Sequence, residues 1–222
     1  GLVRLKVGGT LGDSLVPPDL PVLREPYVAE RKGARSSTGS SFAPQYYWAW
    51  HPEGFFVVGN GGNYEIVLAR PRQQPLAIRR ELPKVPVQEE ERAEERARIL
   101  WNLRRTDPSW SWSGPPIPDH KAPLLNLFVA RDGRIWAQIA VPSERIPEEE
   151  LAPPRDKTMP VSHFRTPPAY ELFATDGRLL GRVNFPPRSR LMQADGNTVW
   201  ALLRDENDLP AVVRFRIEPG LR

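Results

Sequence analysis

Four segments of this chain share one plan: an apolar run, a turn carrying glycine or acids, and a second apolar run. Such a repeat constrains the fold strongly, because a lone hairpin unit cannot bury its apolar face and must stack on its neighbours. The clearest copy runs Tyr47-Trp48-Ala49-Trp50, turns at His51-Pro52-Glu53-Gly54 and returns as Phe55-Phe56-Val57-Val58. The loop Gly59-Asn60-Gly61-Gly62-Asn63 then leads into Tyr64-Glu65-Ile66-Val67-Leu68. A fourth strand near Leu76-Ala77-Ile78-Arg79 ends at Pro83.

The second copy begins at Leu124–Val129, turns at Arg131-Asp132-Gly133 and returns as Arg134–Ile139. After a long loop come Ala169–Phe173, the turn Asp176-Gly177 and Leu179–Phe185. Asp-Gly between apolar strands predicts type I′ turns, with positive φ at both central residues. A third copy, over 190–217, offers three strands around Ala194-Asp195-Gly196-Asn197 and the Asp205-Glu206-Asn207-Asp208 loop. The first 18 residues match half a copy. Twenty-six prolines, most of them in loops or at strand ends, suit a protein of many short strands, since proline cannot donate to a central ladder.

The predicted fold is therefore all-β: about three blades of four-stranded antiparallel sheet forming a partial β-propeller ring. The expected parts are a half blade at 1–18, a blade at 46–83, an insert at 84–123, a blade at 124–187 and an incomplete blade at 190–217. A sandwich of irregular hairpins is the alternative. Inside the insert, residues 88–105 predict one helix, with acids early and arginines late as the helix dipole favours. Ala93, Ala97, Leu100 and Trp101 define its expected packing face, and the glutamates, Glu91 and Glu95 among them, read as a solvated face. A partner-docking helix is the other use of such a segment.

The repeats, the charged helix between them and the closing Arg204–Phe215 stretch resemble bacterial six-bladed β-propeller proteins of the NHL-like type. The phrases that carry the likeness are Asp132-Gly133-Arg134-Ile135-Trp136 and Asp176-Gly177-Arg178-Leu179-Leu180-Gly181-Arg182-Val183. The resemblance implies the C-terminal half of a longer propeller, and a periplasmic or extracellular location. A start at Gly1, within a strand, is what a chain with residues upstream would show.

Lysine and arginine exceed acids by 31 − 27 = 4. The arginines are scattered beside acids instead of forming a stripe, so no nucleic-acid partner is expected. No apolar run approaches the length of a membrane span. Without cysteine there is no disulfide or thiolate metal site. His51, His120 and His163 lie far apart and read as isolated surface residues; no metal site is assigned. No cofactor is expected; calcium is the cation to which Asp205-Glu206-Asn207-Asp208 offers hard oxygens, without the EF-hand spacing. No GxSxG accompanies the serines, and the glycine-rich loop at 59–63 lacks a P-loop lysine.

Trp110, Trp112, His120 and Lys121 are the candidate binding residues, because aromatic anchors beside polar groups are common at binding sites. Trp110 and Trp112 either clamp their proline-rich loop to the body or line a ligand surface. For Trp48 and Trp50 packing between blades is expected. The function that follows is a non-catalytic module for protein–protein or ligand binding through loops at one end of the blades. Its partner would be a second protein or the missing blades of the same chain. The alternative is a metal-dependent hydrolase of the sugar-lactonase or esterase kind with its site in the channel, where Asn126 and Asp195 would be available as ligands.

Overall fold

A computed structural model describes residues 2–151, 156–205 and 209–218 of the 222. The described chain is mostly β, in several antiparallel sheets, with one α-helix among the described residues. In chain order the strands are β1 (Leu2–Leu5), β2 (Leu11–Leu15), β3 (Tyr27–Arg31), β4 (Ala34–Thr38), β5 (Tyr46–His51), β6 (Phe55–Asn60), β7 (Glu65–Leu68) and β8 (Leu76–Arg79). Helix α1 (Glu89–Arg104) follows, then β9 (Leu124–Val129), β10 (Ile135–Ile139), β11 (Glu144–Arg145), β12 (Phe164–Arg165), β13 (Ala169–Phe173) and β14 (Leu179–Asn184). The last sheet uses β15 (Ser189–Asp195), β16 (Thr198–Arg204) and β17 (Pro210–Arg216).

Three of the sheets are antiparallel meanders: β5-β6-β7-β8, then β9-β10-β13-β14, then β15-β16-β17. They stack face to face in that order. Phe55, Val57, Ile66 and Leu68 of the first meet Leu124, Leu127, Ile135, Ala137 and Phe173 of the second. The opposite face of the second sheet, carrying Trp136, Tyr170 and Leu172, meets Ala194, Val199, Ala201 and Phe215 of the third. Strand β13 is buried along its whole length, as expected where both faces of a strand are covered. Its one acid, Glu171, accepts the Tyr64 hydroxyl at 2.6 Å and pairs with Arg80 at 3.1 Å.

The hairpin turns differ from type I′. Gly133, Gly177 and Gly54 have positive φ, while Asp132, Asp176 and Glu53 are not among the residues that do. The Gly133 N–H donates to Ala130 O and the Ala130 N–H to Arg134 O; Gly177 and Ala174 repeat the pattern. These are type I turns closed by a left-handed glycine, which need positive φ at one position only. The Asp132 and Asp176 carboxylates accept the N–H two residues on, which makes aspartate the fitting partner for that glycine.

The same turns join one sheet to the next. His51 Nε2 lies 3.0 Å from Gly133 O. Asp132 accepts the Gly196 N–H at 2.8 Å, and Arg134 donates to Gly196 O. His51 is therefore fully buried, stacked on Phe55 at 4.2 Å, rather than a surface histidine. Burial pushes its pKa down, partly countered by the Gly133 carbonyl.

Three two-stranded ribbons complete the description. The first half-unit forms β1-β2, and β11-β12 stands within the long loop of the second meander. The ribbon β3-β4, turning at Lys32-Gly33 with φ of 49° and 81°, was not expected. With Tyr27 and Ala29 it packs against Ile99 and Leu103 of α1, and Trp110 and Ile117 close this third core.

Between the first two sheets Gly61 sits where a Cβ would lie 2.6 Å from Gln45 O and 2.9 Å from Leu124 O. Both are backbone atoms and cannot swing aside. Gly61→Ala is expected to cost about 1–3 kcal/mol in urea unfolding. Gly39→Ala, which opens onto empty space, should stay within about 0.5 kcal/mol. Equal stability of the two variants would refute the close approach at Gly61.

Candidate functional site

Helix α1 begins at Gln88, whose N–H donates to the Glu91 carboxylate at 3.2 Å. Its buried ridge is Glu91, Glu95, Ile99 and Leu103, spaced four apart. The expected face was different: Ala93 is exposed, and two glutamates take the inward positions instead. The chemistry that permits this is specific pairing, since a buried charge requires a partner.

Glu91 pairs with Lys121 at 3.4 Å, both side chains being almost wholly enclosed. The Lys121 ammonium also donates to Ser143 Oγ at 2.5 Å, Thr166 Oγ1 at 3.0 Å and Val141 O at 3.2 Å. Burial pushes its pKa below the usual lysine value, and the Glu91 carboxylate pulls it back. A serine this close to a lysine has the spacing of a nucleophile and base. Here, however, three ammonium protons meet four acceptors, one of them a carboxylate. In this arrangement Lys121 donates to Ser143 and joins it to the Glu91 carboxylate on α1. The cluster is a clamp between α1 and the segments around 141–143 and 166.

Glu95 accepts the Ser41 N–H at 2.5 Å and pairs with Arg98 at 2.7 Å. Burial alone would raise its pKa, but the Arg98 guanidinium and the Ser41 N–H outweigh it and leave it lowered. The preceding residue, Glu94, places Oε1 2.8 Å from His163 Nδ1, and its other oxygen accepts the His163 N–H at 3.0 Å. The Trp101 indole donates to Thr158 Oγ1 at 3.0 Å. Residues 158–163 thus run along α1 and leave a cleft of about 240 Å³ between them. Its acidic wall is Glu91, Glu94 and Glu95; Phe42, Met159, Val161 and Phe164 supply apolar surface.

The four residues singled out by sequence separate into two places. Trp110 is buried, its indole donating to Val28 O at 2.8 Å; Trp112 packs 4.7 Å from Tyr27, under the Arg96 guanidinium at 4.3 Å. Both tie the proline-rich loop to α1 and the β3-β4 ribbon. Lys121 is in the clamp at the first turn of α1, about 18 Å along the helix axis from Leu103 beside Trp110. His120 is exposed and, with Lys121, Arg80 and Lys84, borders a second cleft of about 520 Å³. Sequence reasoning missed Glu91, Glu94, Glu95, Ser143, His163 and Thr166. The only local signal was the excess of glutamate on a helix that also had to pack.

Among the described residues no group of three or more His, Asp or Glu gathers at metal-binding distance. Asn126 is exposed on β9 and Asp195 ends β15, while 206–208 of the acidic loop lie outside the described residues. No described helix is long and apolar enough to cross a membrane.

Lys121→Met leaves Glu91 charged and unpaired in the interior. A loss of about 3–5 kcal/mol is expected in chemical denaturation, with partial recovery when Glu91→Gln is added. A loss close to zero would show that the clamp is not structural. Glu95, its pKa lowered by folding, contributes stability that is full above the usual glutamate range and lost as pH falls through the folded value. The stability gap between wild type and Glu95→Gln should therefore narrow from pH 7 towards pH 3. A gap independent of pH would contradict that pairing.

Comparison with known proteins finds no matching family model, no matching curated protein and no matching solved structure.

Proposed function

We propose that the chain is an arc of a β-propeller acting as a binding module rather than a catalyst, with the α1 cleft as its contact site. The observation that carries the arc is the stacking of successive sheets in chain order, joined through their turns. Each meander stacks on the next in chain order, their first strands β5 and β9 lie against each other, and each hairpin turn bonds to the turn of the following sheet. Blades of a propeller relate to one another in this way. The likeness to six-bladed NHL-like proteins supports the same architecture and brings with it an exported location.

A binding role is supported by the chemistry of the cleft. Its ionisable groups are committed to pairs that brace α1, which leaves shape and charge as what it offers. Lys121 and Arg98 neutralise Glu91 and Glu95, so Glu94, set against the His163 ring, is the carboxylate of the wall without a permanent cation beside it, and apolar side chains stand next to it. A peptide segment with a lysine or arginine next to an apolar side chain fits both walls.

The test is selection of binders from a random peptide library displayed against the folded protein. Peptides enriched in a basic residue beside an apolar one are expected, and Val161→Asp should weaken them about tenfold or more. Enrichment of no motif, or binding indifferent to Val161→Asp, would reject the cleft as the contact site.

A further inference from the structure

Among the described residues the stack of three sheets is open at both ends, and its two end faces differ. On the first sheet, cross-strand partners place Trp48, Val58, Val67 and Ala77 in one outward row and Trp50 and Phe56 in the next. Phe56 packs edge-on against Trp50 at 4.9 Å and Trp48 at 5.6 Å, making one aromatic surface, with Trp48 40% exposed. On the third sheet the outward rows are Arg190, Leu202 and Val212, then Gln193, Trp200 and Arg214. Val212 is 70% exposed and Met192, at the bulge of β15, 46%. One face is thus aromatic, and the other is apolar with arginines at its rim.

Resting on the arc proposed above, we infer that a second copy of this chain closes the ring. The aromatic face of each copy would pack on the arginine-rimmed face of the other. Two features favour a second copy as the occupant. The faces are complementary, because guanidinium groups stack on aromatic rings, and Arg190 and Arg214 form no ion pair among the described residues. The count also fits: two sets of three sheets make six, within the four to eight blades of closed rings. A four-stranded face of five residues per strand covers about 300 Å², and the three-stranded face about 240 Å². Two contacts, each pressing one face on the other, then bury on the order of 1,100 Å², close to the lower bound of a stable interface. Because each contact is head-to-tail, closure at two copies is what prevents a filament.

The chain has no cysteine, so introduced thiols report contacts cleanly. Light scattering of the wild type should give twice the 25.2 kDa of one chain, and Val212→Asp should weaken association about tenfold or more. Under oxidation the Trp48→Cys/Val212→Cys double variant should form a covalent dimer, and neither single variant should. A wild type that stays monomeric at its highest soluble concentration overturns the proposal. So does growth beyond two copies, or crosslinking by either single variant, which would mean like face on like face. Peptide selection on the Val212→Asp monomer separates the two proposals, since the α1 cleft is untouched by that change.

Discussion

Burial of the middle sheet on both faces is the constraint from which the rest of the arrangement follows. A sheet with one apolar face can be satisfied by a single neighbour. Here β10 sends Ile135, Ala137 and Ile139 to one side and Trp136 to the other, and β13 does the same with Phe173 and with Tyr170 and Leu172. Each neighbouring sheet must then present an apolar face of its own and keep the register that lets the two interdigitate. Glu171 is the exception within β13, and Tyr64 and Arg80 from the first sheet meet it. Sliding one sheet over the other would strand that carboxylate in the interior, so its two partners help fix the alignment of the pair.

Helix α1 is held by different means. Ile99 and Leu103 anchor its second half against the β3-β4 ribbon and Trp110, which is ordinary apolar packing. Its first half is held by charge: Glu91 to Lys121, and Glu95 to Arg98 and the Ser41 N–H. Ion pairs of this kind are directional where apolar contacts are not, and they fix the rotation of the helix about its axis. That rotation turns Glu94 towards His163 and sets the cleft between α1 and the 158–163 segment. The proposed contact site is in this sense a by-product of how a short, glutamate-rich helix was made to pack.

The strands of the three meanders were legible in the sequence because each was written in a local code. Alternating apolar runs and Asp-Gly turns need no knowledge of the rest of the chain. The turn type was misjudged because Asp-Gly suits two geometries, and only the spacing of the flanking pairs separates them. The β3-β4 ribbon was signalled by Lys32-Gly33 between Tyr27-Val28-Ala29 and Ala34 onward, but its strands are half polar and short. The burial of Glu91, Glu95 and His51 was not legible at all. Their partners Lys121, Ser41 and Gly133 are remote in sequence, and a glutamate on a helix reads as solvated until its partner is found. The candidate site failed to emerge for that reason: its residues are ordinary one by one and acquire a role only through long-range pairing.

The Asp132 turn shows how a local code can also carry long-range information. Its aspartate accepts the Arg134 N–H with one oxygen, which stabilises the turn, and the Gly196 N–H with the other, which docks the next sheet. Gly133 is required twice over: its positive φ closes the turn, and a side chain there would meet the His51 ring at 2.9 Å. One Asp-Gly pair therefore sets a hairpin, receives the preceding sheet through His51 and holds the following one through Gly196. Because the bonds that shape the turn share residues with those that join the sheets, the step from the first sheet to the second is coupled to the step from the second to the third. A stack built on such coupled steps has little freedom to flatten into independent layers.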